Sequence, residues 1–433
     1  MFNYNKHIRL FLISILFVYS IILTVNWSLS SAYRVPLLPE NTVEAFRMRS
    51  NLLADIFPMW IYIKKWEILS LIAWIKQRWT NLELWIGEPN SFWDNNSLRD
   101  PQIVTLKRWR QSIKATRDGL VYLRYTQPSS RIQKRTIRID RVSGGIMSPL
   151  YKKWITSGLW WQKILQSSSS PYVQILSNRS LITVSRSSYD TMTKSTDIDL
   201  IDTLTTLDAI VESYDDLVGY TGSVWVHAIT PLRIHYREDN KSIDKVWIND
   251  VYMYATDNFI GLKKENIIDL LWKWRLKKSW WIWHEIGHLY QQSDWTWWEV
   301  IESTVNIFSL MAEKKYQWTN RLDQWDDKTN TMRNFISQWK KEKQKDFNQE
   351  TWIYKWDDID MIWIRLGMFD ELNTLYWKDF YQKLFRSYRE YPVNLETDQE
   401  KVSLLLNRIT QITDKDMTPF FALWWLDKYI NYL

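Results

Sequence analysis

The spacing of apolar and polar residues changes several times along this chain. Residues 10–25, LFLISILFVYSIILTV, carry no charge, with Lys6, His7 and Arg9 ahead of them and NWSLSSA behind. An apolar run of that length after a basic flank predicts an export segment over residues 1–32, either a signal peptide cleaved after Ala32 or a retained membrane anchor. From 33 to 99, the apolar positions of NLLADIFPMWIYIKKWEILSLIAWIKQ recur at helical spacing and predict a helical N-terminal segment. Between 100 and 204, GLVYLRY, RTIRIDRV, PYVQILS and SLITVSR are short β-branched and aromatic runs broken by Ser, Pro, Asn and Gly. They predict a β-rich accessory domain. Helical periodicity returns in DLIDTLTTLDAIVESYDDLVGY, followed by the strand-like RIHYREDN and VYMYATDNF and the helical ENIIDLLWKW. Beyond residue 346, MIWIRLGMFDELNTLY, KDFYQKLFRSYRE, KVSLLLNRITQIT and MTPFFALW predict a helical C-terminal part. The class is α+β.

Composition narrows the chemistry. With 433 residues, 45% hydrophobic and 24% charged, the chain can bury two or three domain cores. Its net charge of +7 is spread among 49 acidic residues, which predicts a solvated basic surface. Neither a basic stripe nor a nucleic-acid motif is present, so no nucleic-acid partner is expected. The absence of cysteine excludes disulfides, thiolate metal sites, a Cys nucleophile and a lipid-modified N-terminal Cys.

One pair of counts is abnormal: 30 Trp against 10 Gly. Glycine ordinarily makes up about 7% of a chain, roughly 30 residues at this length, so the Trp excess matches the Gly deficit. Trp318, Trp377 and Trp425 fall at predicted helix ends, where a left-handed residue closes the helix and glycine is preferred. Many of the tryptophans are therefore expected to occupy glycine positions.

His284-Glu285-Ile286-Gly287-His288 is an H-E-x-x-H pattern. Residues four apart share one face of a helix, so both imidazoles can reach one tetrahedral zinc. Glu285, beside them, is placed as the general base that takes a proton from a zinc-activated water. No histidine follows His288, and His227 and His235 lie upstream in or near strands, where they are expected to be packed or exposed. A carboxylate must complete the set, from Asp294, Glu299, Glu302 and Glu313. Thr296-x-x-Glu299 reads as a capping box, making Thr296 the N-cap of a second helix and occupying Glu299. Glu302, one turn further in, is the expected third ligand, with Asn306 four residues on and able to hydrogen-bond a ligand from behind. Asp294 is expected in the loop and Glu313 near a solvated helix end.

The stretch HEIGHLYQQ, then WTW, then E-x-T-V-N-I-F-S-L resembles the enhancin-like, mucin-degrading zinc metallopeptidases, family sixty of the metallopeptidases. The matching positions are His284, Glu285, Gly287, His288, Gln291, Trp295, Thr296, Trp297, Glu302 and Asn306. Weaker similarity lies in MYATDNFIGL, LGMFDEL and KDFYQKLFRSYRE, and in DGLVYLRY and NRSLITV of the β-rich part, over about residues 115–430. The resemblance implies a zincin-type (Glu-zincin-like) catalytic domain over 205–345, a Zn2+ cofactor with a Glu third ligand, and cleavage of heavily glycosylated proteins such as mucins. Trp298 and Trp281 stand where the family has Gly and would crowd the cleft, whereas Trp295 and Trp297 match family tryptophans. The expected function is an exported zinc endopeptidase for glycoproteins, extracellular or at the cell surface, with N-terminal membrane anchoring open. A peptidase for non-glycosylated or cell-wall peptides, and a glycan-binding surface adhesin with a silent zinc site, remain alternatives. Tyr254, Tyr290 and Tyr316 lie near the motif, and each fits a core position.

Overall fold

A computed structural model describes residues 32–75, 81–87, 101–129, 135–222, 225–239, 253–256, 258–324, 332–341, 347–348, 361–376 and 379–430. The apolar run at 10–25 and Trp377 lie outside the described residues. Among the described residues, no helix is long and apolar enough to cross a membrane.

Among the described residues, ten strands build the N-terminal part: β1 (Tyr33–Pro36), β2 (Leu38–Pro39), β3 (Phe57–Ile63), β4 (Ile68–Trp74), β5 (Asn81–Gly87), β6 (Gln102–Thr105), β7 (Trp109–Lys114), β8 (Gly119–Gln127), β9 (Thr136–Ser143) and β10 (Ile146–Met147). They form two sheets, ordered β1-β9-β4-β7 and β10-β3-β8-β5-β6, with β2 parallel to the end of β8. Met59, Leu69, Leu71, Leu82, Leu84, Val121 and Ile139 from both sheets share one core.

The helical N-terminal segment expected over 33–99 is therefore corrected: its only described helix is Asn41–Met48, and the rest of its regular structure is strand. The burial period explains why. Leu69, Leu71 and Ala73 of β4, and Leu82, Leu84 and Ile86 of β5, are buried at every second position while, apart from Gly87, their neighbours are not. That is the two-residue alternation of a half-buried strand. In so dense an apolar run, helical and strand spacings both find matches.

A third sheet follows, ordered β11-β12-β13-β14-β16-β15, from β11 (Leu150–Lys152), β12 (Tyr172–Leu176), β13 (Ser180–Ser185), β14 (Ile234–Glu238), β15 (Met253–Ala255) and β16 (Ile260–Leu262). The β13–β14 and β14–β16 pairs are parallel, while β15 closes the edge antiparallel to β16. Because β13 pairs with β14, the sheet spans the expected boundary at 204, which also falls inside the helix Leu200–Leu217. The predicted β-rich unit thus divides near residue 150, not 204.

The helices Leu200–Leu217, Trp280–His288, Asn306–Gln317, Met361–Tyr376, Phe380–Glu390 and Asp398–Thr413 contribute to one large core with this sheet. A smaller apolar cluster, including Ile56, Tyr122, Leu150 and Leu181, joins that sheet to the N-terminal strands. The fold is mixed, strand-rich toward the N-terminus and helical toward the C-terminus.

Candidate metal centre

The helix Trp280–His288 starts where Ser279 Oγ accepts the Ile282 amide at 3.4 Å, an N-cap. Its inner face buries Ile282, Trp283 and Ile286. Two bonds hold its first turn: the Trp283 indole N–H donates to the Leu276 carbonyl at 3.0 Å, and the Tyr214 hydroxyl to the Trp283 carbonyl at 3.0 Å. At the far end Asn51, from the N-terminal part, donates to the His288 carbonyl at 2.7 Å. Gly287 lets a second segment come close, since a Cβ there would sit 2.9 Å from both Val305 Cγ2 and the Val305 carbonyl oxygen. That approach carries Glu302, in the short helix Ile301–Thr304, and Asn306, opening the helix that follows, up to the two histidines.

His284, His288 and Glu302 each turn one ligand atom toward a common point. Glu302 Oε2 lies 3.0 Å from His284 Nε2 and 3.7 Å from His288 Nε2, and the two Nε2 atoms are 3.1 Å apart. A tetrahedral zinc with bonds of about 2.0–2.1 Å spaces its ligand atoms about 3.3 Å from one another, the middle of that range.

The groups behind the imidazoles assign their protons. The Asn306 side-chain NH2 donates to the Glu302 carbonyl at 2.8 Å, so its oxygen faces His284 Nδ1, 2.8 Å away. The Gln291 NH2 donates to the Ile301 carbonyl and to Thr304 Oγ1, both at 2.7 Å, leaving its oxygen 2.6 Å from His288 Nδ1. Both Nδ1 atoms must therefore carry the proton, and both Nε2 atoms present lone pairs to the common point. Two lone pairs and a carboxylate converging at such distances repel unless a cation or a proton lies between them. The donor set fits a zinc ion.

With a proton rather than a cation among the three groups, burial raises the Glu302 carboxyl, but hydrogen bonding to His284 and His288 outweighs that and holds it well below the ordinary carboxylate range. Burial pulls the His288 imidazole down, yet the contacts with Glu302, Glu285 and Gln291 together raise its pKa. Burial also raises Glu285, which the neighbouring imidazoles and a backbone hydrogen bond from Ala255 on β15 partly oppose.

Other expectations separate here. Asp294 sits in the loop, but buried and paired with Arg49, whose Nε donates to it at 2.9 Å. Glu313, expected to be solvated, is buried and accepts the Arg321 amide at 2.6 Å and the Thr319 hydroxyl at 3.3 Å, closing the loop after its helix. The capping box at Thr296 does not form: the Thr296 hydroxyl has no partner among the described residues, and the helix starts only at Ile301. The Trp295 and Thr296 amides both close a turn on the Gln292 carbonyl, and Trp297, with extended backbone (φ −89°, ψ 169°), precedes the short turn Trp298–Val300. A complete capping box exists instead at Thr397 and Glu400.

His227 is buried between Glu390, 2.7 Å away, and Arg389, which donates to its Nδ1 at 3.2 Å. His235 is buried 2.9 Å from Thr183 Oγ1, and burial pushes its pKa well down. Tyr290 donates to Asp215 at 2.7 Å, Tyr316 to the Thr206 carbonyl at 3.4 Å, and Tyr254 to Asp239. Gln291, one of the positions that carry the family resemblance, fixes the His288 tautomer. Its spacing three residues past His288 was the signal in the sequence.

The model of one family, "Peptidase M60, enhancin and enhancin-like", matches residues 144–425. TRPM8 channel-associated factor 3 of Rattus norvegicus is 22% identical over 288 residues, 65% of this chain, which spans 28% of that relative's length. Among solved structures, a mutant of a functionally unknown conserved protein from Bacillus anthracis str. Ames superposes with a TM-score of 0.74 at 21% identity, over 93% of this chain and 77% of that one. The M60 catalytic domain of Clostridium perfringens ZmpC, in complex with the sialyl T antigen, gives 0.71 at 17% identity, over 92% and 77%. With a matched stretch that contains the third sheet, the metal helix and the C-terminal helices, this chain belongs to the M60 peptidases, the enhancin and enhancin-like family.

Proposed function

We propose that the protein is an exported, zinc-dependent endopeptidase that cuts glycoproteins such as mucins. The carrying observation is the convergence of His284 Nε2, His288 Nε2 and Glu302 Oε2, with both imidazole tautomers held from behind by Asn306 and Gln291. The metal helix, with β15 against it at the edge of the mixed sheet, supports a zincin-type reading of this region. The glycoprotein substrate is inferred from the ZmpC domain, whose structure holds the sialyl T antigen. The export reading rests on the apolar run at 10–25 behind Lys6, His7 and Arg9.

Zinc held by the two imidazoles and Glu302 would supply a Lewis acid that polarises a water and the scissile carbonyl. Glu285, next in sequence to His284, takes the proton of the attacking water and delivers it to the departing amide nitrogen. Its burial serves that role, because a carboxylate whose affinity for a proton is raised accepts one more readily. The Ala255 amide restrains that carboxylate from the strand side. Glu302, whose carboxylate faces both imidazoles, would remain a ligand of that ion while Glu285 carries the proton.

The test is digestion of a mucin beside its deglycosylated form, with mass analysis of new termini and a Glu285→Gln variant as control. New termini in the mucin, absent from the deglycosylated form and from the zinc-loaded variant, are expected. Equal cleavage of both forms would remove the glycan requirement and favour the ordinary-peptide reading. Indistinguishable products from parent and variant would overturn the peptidase assignment and leave the adhesin.

A further inference from the structure

Nine non-glycine residues hold a left-handed backbone among the described residues, and six of them are tryptophan: Trp60, Trp66, Trp109, Trp154, Trp318 and Trp425, with φ from 58° to 82°. In that conformation Cβ crowds the following carbonyl, so bulky residues are outliers there, while glycine enters freely.

Each of the six marks a place where the chain turns or an element breaks. Trp60 lies at the irregularity of β3 between Pro58 and Tyr62, and Trp66 in the turn from β3 to β4. Trp109 opens β7, and Trp154 follows β11 in a turn closed by the Ile155 amide on the Lys152 carbonyl. Trp318 ends the helix Asn306–Gln317 as its left-handed cap, and Trp425 comes two residues after the helix Thr418–Leu423. These are positions where glycine is the usual residue.

Four of the six side chains bury little in return for that backbone, and the two packed against the cores leave a polar group unsatisfied. Trp66, Trp109, Trp154 and Trp318 are exposed, Trp318 by 88%. Trp60 and Trp425 each bury an indole N–H that has no acceptor among the described residues. A second population behaves as tryptophan should. Trp283, Trp295 and Trp297 are fully buried, and their indole N–H groups donate to the Leu276 carbonyl, Gln292 Oε1 and Asn348 Oδ1 at 3.0, 3.1 and 3.0 Å. Those three also avoid the left-handed region.

Two populations of one residue type, an excess of Trp and a matching deficit of Gly have a single common cause at the codon level. We propose that the gene uses UGA for glycine, and that residues 60, 66, 109, 154, 318 and 425 are glycine in the protein its own cells make. The written chain is then that gene read as though UGA meant tryptophan, with UGG marking the true tryptophans. The inference is independent of the peptidase reading, because the same backbone would need glycine whether or not the site binds zinc.

Three measurements test it. The gene should show UGA at all six codons and UGG at 283, 295 and 297; UGG at the six would overturn the proposal. Peptide mass spectrometry of the protein isolated from its own cells should find glycine at the six positions, and tryptophan there would overturn it. Finally, the chain as written can be compared with one carrying Trp60→Gly, Trp66→Gly, Trp109→Gly, Trp154→Gly, Trp318→Gly and Trp425→Gly together. The relieved backbone should raise Tm by roughly 5–10 °C. An unchanged or lower Tm would mean that the six indoles stabilise the fold, against the proposal.

Discussion

Asn306 couples two of the three metal-facing groups, and replacing it separates what it does for each. Its oxygen accepts His284 Nδ1–H at 2.8 Å and its NH2 donates to the Glu302 carbonyl at 2.8 Å, with the side chain buried. Asn306→Ala leaves a buried imidazole N–H without an acceptor, which costs about 1–3 kcal/mol of folding stability. It also frees the imidazole to carry its proton on Nε2, the atom that must be bare to bind a metal. Loss of such a supporting bond typically weakens metal binding about 10–100-fold, or roughly 1.4–2.7 kcal/mol. The assay is zinc competition against a chromogenic chelator at fixed pH, with the thermal midpoint of the metal-free protein measured in parallel. Asn306→Asp keeps an acceptor against Nδ1 but loses the donor to Glu302, so zinc affinity within a few-fold of the parent is expected. Parental zinc affinity in Asn306→Ala would refute the tautomer argument. Equal losses in both variants would move the effect from the imidazole to the Glu302 backbone.

Two further predictions follow from neighbouring groups. Glu302→Ala should abolish stoichiometric zinc binding, measured by metal analysis after dialysis, while Glu299→Ala should leave it intact; the reverse pattern would reassign the third ligand. Asp215 is buried beside Arg179 and Tyr290, and burial, only partly offset by the Arg179 charge and the Tyr290 hydrogen bond, pushes its carboxyl up to about 6. The native state therefore holds this proton more tightly than the unfolded chain. Its stabilising contribution is full below the unfolded pKa, near 4, and is lost as pH rises through 6. The stability difference between parent and Asp215→Asn should shift against the parent by on the order of 1–3 kcal/mol between pH 4 and 7 in denaturant titrations; a flat difference would refute the assignment.

The candidate metal centre was legible in the sequence because its information is local. His284 and His288 share a helical face by spacing alone, and Glu302 followed from counting turns beyond His288. Glu302 does lie against both imidazoles, although one premise failed: Thr296 caps nothing, since its amide and that of Trp295 close a turn on the Gln292 carbonyl and the helix begins only after the short turn at Trp298–Val300. A capping box forms at Thr397 and Glu400. The supporting bond from Gln291 to His288 was less visible, because a glutamine after a helix has many possible partners. Only Thr304 and the Ile301 carbonyl, brought close by Gly287, fix which way its amide faces.

The one large error, a helix over 33–99, has a physical cause that leads back to the tryptophans. Between β3 and β4 the chain reads IKKWEI and offers no turn residue, so two apolar strands run together as one amphipathic stretch. Trp66 nevertheless takes a left-handed φ of 74°, and the Trp66 amide donates to the Ala115 carbonyl at 2.8 Å. With glycine at 66 the same segment reads IKKGEI, a charged turn with glycine at its left-handed position between β-branched flanks, which marks the break between two strands. Glycine at 60 would likewise announce the irregularity that β3 shows between Pro58 and Tyr62. Turn punctuation is the main cue that divides apolar runs into strands, and these are the positions from which it is missing. The helix Asn306–Gln317 was legible despite tryptophan at its left-handed cap, because a helix of three turns declares itself by its own period. A strand of seven residues depends on where it stops.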